Sequence, residues 1–340
     1  MQSEGPLVDR FGRVHDNLRV SVTDRCNLRC FYRMPEEAVQ FRPRSEILRF
    51  EEIERFVRIV VALGVRRLRI TGGEPLVRAG LPTLVRQLAA IPGVADLAMT
   101  TNGLLLAEHA AALRAAGLRR LNISLDSLQE TTFRRIARRE GLARVLAGID
   151  AAVQAGFDKI RLNTVAIRGI TESEVIALAE YALAHAMELR FIEFMPLDAD
   201  GNWHSQYVLP GAVIRAQLEQ RFGPLVPVTR GDPSQPAVDY ALADGGGRIG
   251  FINPVTEPFC GDCSRLRITA EGQVRNCLFS TVEWDARALL RQGASDEQVA
   301  DLVRHCIGAK KAGHGIDSPE FIRPRRAFAF FLRPQPGLAG

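Results

Sequence analysis

Between residues 17 and 196 the chain alternates two textures. Short β-type runs ("LRVSVT", "RLRITG", "LAMTTN", "RLNISLD", "KIRLNTVAI" and "LRFIEFMP") are separated by Ala- and Leu-rich amphipathic segments such as "EEIERFVRIVVALG", "LPTLVRQLAAI" and "LLAEHAAALRAAG". Several of these helical segments stop at a glycine just before the next strand; Gly64, Gly117 and Gly156 stand where helix C-caps belong. Strand and helix alternating at this spacing predict βαβ units and a parallel sheet. Six units fall short of an eight-stranded barrel, so the expected fold is α/β, a partial (βα)6 TIM-type barrel. A flat doubly wound sheet is the alternative.

After residue 197 the texture changes. "LVPVTRGDPSQPAVDYALADGGGRIGF" is rich in Pro and Gly and predicts loops with short strands. "RLRITAEGQVRNCLF" predicts a hairpin turning at Glu271–Gly272, and two helical stretches follow across 283–307. The expected division is a barrel over 1–230 and an α+β extension over 231–340, with a loosely ordered tail.

Composition narrows the partners. A net charge of +5 and a pI near 9.1 favour anions, either nucleic acid or a phosphorylated small molecule. The arginines are dispersed and only 7% of residues are aromatic, which argues against nucleic acid. No apolar run approaches membrane-spanning length, and "MQSEGPLVDRFGR" lacks a signal peptide's apolar centre, so a cytoplasmic location without membrane contact is expected. Six cysteines fall at 26, 30, 260, 263, 277 and 306. In a reducing compartment such close spacings point to metal or redox chemistry. Cys306, on a helical stretch, also suits a buried hydrophobe.

In parallel βα architectures, functional groups collect at the carboxyl ends of the strands. Here the Cys26/Cys30 loop follows the first strand, "TGGEP" the second, "TTNG" the third, "SLDS" the fourth, and "EFMP" ends the sixth. The second cysteine group is the stronger metal signal: Cys260 and Cys263 form a CxxC, and Cys277 follows after thirteen residues. Three thiolates can hold a [4Fe–4S] cluster with one iron open. A zinc site, with His305 or Cys306 as fourth ligand, matches the spacing equally well. On a strand, Arg265 and Arg267 point to one side and Leu266 to the other. Together with Arg19 and Arg69 on inner strands, they suit a polyphosphate chain.

These blocks resemble the GTP 3′,8-cyclase family, the radical S-adenosylmethionine enzymes of molybdenum-cofactor biosynthesis. "LVDRFGR", "LRVSVTDRCNLRC", "ITGGEPLVR", "TTNG", "NISLDSL", "FIEFMP", "FCGDCSRLRIT" and "RNCLF" carry the resemblance, in order and over nearly the whole chain. It implies a partial barrel with two [4Fe–4S] clusters at opposite ends of one cavity. The first, on a CxxxCxxC loop, would cleave S-adenosylmethionine to a radical that abstracts the 3′-hydrogen of GTP. The second would bind guanine. By matching position, Cys26 and Cys30 would hold the first cluster, and Cys260, Cys263 and Cys277 the second. Tyr32, Gly73, Ser124 and Met195 would contact S-adenosylmethionine, with Glu74 near its amino group. Arg19, Arg69, Thr100, Arg265, Leu266 and Arg267 would hold GTP, Arg265 and Arg267 with a direct part in catalysis. The resemblance also implies cyclic pyranopterin monophosphate synthase downstream, an electron donor such as flavodoxin or ferredoxin, and is compatible with a homodimer. It decides the zinc question for iron–sulfur by analogy.

Three positions depart from the family pattern. A family lysine appears as Arg161 in "IRLN", which keeps the charge and a phosphate role. The family's paired terminal glycines are replaced by "PGLAG". Most consequentially, Arg33 stands where the third cysteine of the first loop belongs. A guanidinium stays protonated and offers no lone pair, so it cannot ligate iron. The expectation is a weakly held first cluster or none, and impaired radical chemistry. The alternatives are a catalytically inactive GTP-binding paralogue acting as regulator or decoy, then a radical enzyme with another substrate, and last a nucleic-acid binder.

Overall fold

The computed structural model describes residues 5–37, 39–198, 200–243, 245–316, 318 and 321 of the 340. The "PGLAG" tail therefore lies outside the described residues. Six strands run in chain order with helices between them: β1 (Asn17–Ser21), α1 (Phe50–Ala62), β2 (Arg67–Thr71), α2 (Leu81–Ala89), β3 (Asp96–Thr101), α3 (Leu106–Ala115) and β4 (Arg120–Ser124). Next come α4 (Glu130–Ala137), α5 (Leu142–Gln154), β5 (Lys159–Ala166), α6 (Val175–Ala184) and β6 (Glu188–Glu193).

Local chemistry sets these boundaries. In α1, Ile53, Phe56, Val57 and Val60 recur at helical spacing and are fully or almost fully buried; burying each contributes roughly 1.5–3 kcal/mol. Its first turn is tied by Glu52, whose Oε2 accepts from the Arg49 N–H at 2.7 Å. Gly64 ends the helix at a φ of +96°, where a side chain would be strained. Gly117 and Gly156 take the same region after α3 and α5.

The first four strands alternate strictly. Leu18, Val20, Leu68, Ile70, Leu97, Met99, Leu121 and Ile123 are buried, while Arg19, Arg69, Thr100 and Ser124 line an internal cavity. Parallel strands covered on both faces usually read as continuous apolar runs. These alternate because their inner face meets a polar chamber.

The remaining elements are α7 (Gly211–Phe222), β7 (Leu225–Pro227), β8 (Val238–Leu242), β9 (Arg248–Ile252), β10 (Arg265–Ile268), β11 (Gln273–Arg275), β12 (Trp284–Asp285), α8 (Ala286–Arg291) and α9 (Asp296–Gly308). They supply more than an appendage. The sheet order is β12-β11-β10-β1-β2-β3-β4-β5-β6-β9-β8-β7, with β10 parallel beside β1 and β9 parallel beside β6. Strands from both sides of residue 230 thus belong to one sheet, and the six-stranded wall gains a parallel strand at each edge. The physical reason is backbone pairing: the open N–H and C=O groups of β1 and β6 find partners there. Arg265 on β10 and Ile252 on β9 line the same cavity, so the sheet curves as an open barrel. The expected hairpin is present, with Gly272 at a φ of +83° between β10 and β11. No helix among the described residues is long and apolar enough to cross a membrane.

Candidate functional site

Three contiguous compartments occupy the barrel. The first, of about 300 Å³, is walled by Cys26, Cys30, Tyr32, Gly73, Glu74 and Ser124, with Met195 at its margin. The second, of about 630 Å³, holds Arg19, Arg69, Thr100, Arg161 and Arg265. The third, of about 390 Å³, brings together Cys260, Cys263, Cys277, Arg265 and Arg267. Arg19, Tyr32, Arg33 and Thr100 are shared by the first two, and Arg265 by the second and third.

In the first compartment the cysteine loop packs tightly on the "GGEP" turn. A Cβ on Gly73 would lie 2.2 Å from the Arg25 carbonyl oxygen, so only glycine allows that approach. Glu74 is buried and braces its neighbours, accepting from the Leu76 N–H (3.1 Å), the Thr101 hydroxyl (2.7 Å) and the Asn102 N–H (2.7 Å). Tyr32 donates its hydroxyl to Asp126 at 2.7 Å. Burial lifts the Asp126 carboxyl to about 6 despite that bond and one from the Val165 N–H.

The two sulfurs here are poor thiolates. Burial raises the Cys26 thiol and pushes Cys30 up to about 12, with Asp126 adding to the latter; Arg33 lowers both only in part. Arg33 itself donates from Nη2 to the Gly72 carbonyl at 2.5 Å. The guanidinium is therefore seated against the backbone of the next loop. Two sulfurs and a fixed cation do not fit a cluster that needs three thiolate anchors.

The second compartment is a chamber of cations. Arg19 and Arg267 each bury Nε without a hydrogen-bond partner. Burial, then Arg120 and other neighbouring guanidinium groups, depress Arg69 to about 9; burial and Arg265 depress Arg267 to about 10. Arg69 and Arg267 remain charged at neutral pH, and such a cluster is relieved by a polyanion. The register explains the grouping, since Arg267, Arg19 and Arg69 are direct cross-strand neighbours. Arg161 lies on the same wall but donates to Glu188 at 2.6 Å. Leu266 is fully buried in the core, on the side away from Arg265 and Arg267 as strand alternation predicts, and its side chain is not part of the cavity wall.

Sequence reasoning missed several lining residues. Arg67, Arg120 and Arg190 also reach the second compartment; Arg67 pairs with Asp16 and Asp232, Arg120 with Asp96, and Arg190 with Asp239 at 3.4 Å. Their signal was the odd positions of the strands "RLRIT", "RLNIS" and "ELRFIE", which point the same way as Arg69.

In the third compartment the cysteines fit a cluster. Burial would raise the Cys263 thiol, but Arg265 and then Lys310 outweigh it and hold it at about 6. Arg265 donates from Nε to Cys263 Sγ at 3.2 Å and stacks over the Phe259 ring at 4.7 Å. Burial raises Cys260, with the Cys277 and Cys263 sulfurs contributing, which reflects how near the three stand. Among the described residues no three of His, Cys, Asp and Glu are grouped closely enough to hold a single metal ion. Neither candidate fourth ligand lines the compartment, since Cys306 is buried in the core and His305 is exposed on α9.

Residues 20–182 match the Radical SAM superfamily and residues 187–316 match Molybdenum Cofactor Synthesis C. A GTP 3′,8-cyclase from Rhodopirellula baltica is 55% identical over 324 residues, 94% of this chain and 90% of that protein. Another from Streptomyces coelicolor is 44% identical over 94% of each chain. The crystal structure of Streptococcus suis SuiB bound to S-adenosylmethionine shares the fold, with a TM-score of 0.59 at 15% identity over 87% of this chain and 69% of that one. Barrel, cysteine groups and arginine wall thus occur in a chain that belongs to the GTP 3′,8-cyclase family of radical S-adenosylmethionine enzymes.

Proposed function

We propose that this chain binds GTP and S-adenosylmethionine at opposite ends of its cavity as a GTP 3′,8-cyclase of molybdenum-cofactor biosynthesis, and that Arg33 impairs the step that starts the reaction. In this reading residues 1–230 carry the S-adenosylmethionine end, and 231–340 carry a second [4Fe–4S] cluster and part of the GTP wall. Arg19, Arg69, Arg161, Arg265 and Arg267 neutralise the triphosphate, and Thr100 lines the path between the ends. Cys260, Cys263 and Cys277 would hold the second cluster, whose open iron supplies a Lewis-acidic site for guanine. Tyr32, Gly73, Ser124 and Met195 contact S-adenosylmethionine. The product would be 3′,8-cyclo-7,8-dihydroguanosine 5′-triphosphate, consumed by cyclic pyranopterin monophosphate synthase, with flavodoxin or ferredoxin as electron donor.

The observation that carries the reading is the position of Arg33. It stands in the wall shared by the two ends, in the same compartment as Cys26 and Cys30, whose thiols burial raises. The GTP half keeps its cations and its three cysteines. Anaerobic reconstitution should give iron and sulfide for one cluster, and incubation with reductant, S-adenosylmethionine and GTP should give no 5′-deoxyadenosine. Two clusters with appreciable turnover would sink the reading. The seat that Arg33 finds on the Gly72 carbonyl supports a second reading, a GTP-binding paralogue without catalysis. That version predicts GTP binding that survives, with silence even after Arg33→Cys.

A further inference from the structure

Several cations surround the Cys263 loop, and Lys310 is the one that touches a cysteine sulfur without a role so far. Lys310 follows α9 and is only 3% exposed. Its ammonium has three protons and meets three acceptors: the Cys263 carbonyl at 3.2 Å, Cys263 Sγ at 3.4 Å and the Arg265 carbonyl at 3.1 Å. None of these is a carboxylate. A buried ammonium is costly unless opposite charge lies close by. Among the described residues no Asp or Glu lines this compartment, although Arg13, Arg265, Arg267, Lys310 and Lys311 do. Arg13 is balanced from behind by Asp9, but the groups that Lys310 touches offer no carboxylate, only cysteine sulfur and carbonyl oxygens.

The chain also pins this lysine from behind. Arg13, in the "LVDRFGR" block, donates to the Cys260 carbonyl at 2.7 Å, the Ala312 carbonyl at 2.9 Å and the Lys311 carbonyl at 2.8 Å. Asp9 in turn grips the Arg13 guanidinium at 2.6 Å. One guanidinium therefore ties the cysteine loop to the segment just after Lys310. The lysine's three bonds span a sulfur ligand and the strand that presents Arg265.

We propose that Lys310 is a positioning residue for the C-terminal iron–sulfur site: it fixes Cys263 Sγ relative to Arg265 and sets how firmly, and at what potential, a cluster is held there. The inference rests on the reading that Cys260, Cys263 and Cys277 ligate a cluster. The physical basis is that a donor and a positive charge at a ligand sulfur favour the reduced cluster, and that outer-shell partners orient ligands.

The test uses the full chain carrying Cys26→Ser and Cys30→Ser, so that all bound iron reports on the C-terminal site. Against that parent, Lys310→Met should lose iron to a chelator about 10–100-fold faster and move the cluster's midpoint potential, followed by electron paramagnetic resonance, to a more negative value. Lys310→Arg, which keeps the charge, should recover most of both. Lys310→Gln carries the same expectation as the methionine variant, with a smaller shift, and replaces it if methionine prevents folding. Unchanged stripping rate and midpoint would overturn the role of Lys310 while leaving the cluster reading intact. A parent that takes up no iron would overturn both.

Discussion

The two cysteine loops face one cavity, yet Cys30 in the first and Cys263 in the second live in opposite electrostatic settings. At the first, burial and the Asp126 carboxylate push Cys30 up to about 12. At the second, Arg265 and Lys310 hold Cys263 at about 6 in a wall without carboxylates among the described residues. Burial raises the thiols of both loops, Cys260 included, and only at Cys263 do neighbouring cations outweigh it. The difference lies in where cations stand. In the first loop the cation is Arg33, which sits on the Gly72 carbonyl and lowers the two thiols only in part. Cysteine spacing thus marks a loop as suited to sulfur chemistry, and the surrounding charges shift how readily each thiol gives up its proton.

Restoring the missing sulfur should give the largest effect. Arg33→Cys is expected to raise reconstituted iron from about four to about eight atoms per chain, as a second [4Fe–4S] cluster forms, and to bring 5′-deoxyadenosine production up from background. Iron analysis and chromatography read both, and an unchanged iron content would break the contrast between the loops. From the other side, Cys277→Ser should abolish the cluster that the parent protein holds.

Within the arginine chamber, Arg69→Ala should weaken GTP by about 10–100-fold in calorimetry, the loss of charge-assisted bonds worth roughly 1.5–3 kcal/mol. An unaltered affinity would mean that the triphosphate lies elsewhere.

The N-terminal clamp predicts a pH effect. Burial, then the charge of Lys310, depress His15 from 6.5 to about 4 against the pull of Asp9. The unfolded chain therefore binds a proton that the native chain refuses between those values, so stability falls as pH drops from 6.5 to 4. The full effect is on the order of 3 kcal/mol. His15→Gln should flatten the melting temperature across this window, and an unchanged slope would remove His15 as its source. Because Asp9 is held at about 2, the neutral His15 donates from Nε2 at 3.0 Å.

The smallest effect belongs to Cys306. It is fully buried among the core side chains of α9, so Cys306→Ala should leave iron content unchanged and cost about 1 kcal/mol in denaturant unfolding. Iron loss would place it at the metal site after all.

Much of the fold was legible because period-2 and period-3.6 patterns survive in a single strand or helix. The six βα strands, the Gly272 turn and the inward set of Arg19, Arg69, Arg265 and Arg267 follow from alternation alone. Leu266, read as a GTP contact, illustrates the same rule from the other side, because its neighbours' inward direction sends it into the core.

What alternation cannot express is who stands next to whom across the chain. That β9 and β10 complete the barrel wall, that Arg67, Arg120 and Arg190 join the same chamber, and that Lys310 and Arg13 converge on the cysteine loop are long-range facts. They depend on strand order and on which buried charges find partners, and both are settled only when the sheet closes around its cavity. The sequence by itself determined which residue types stand in each loop, the cysteines and Arg33 among them. Tertiary structure decided which sulfurs are surrounded by positive charge, because an electric field sums over neighbours in space and not along the chain.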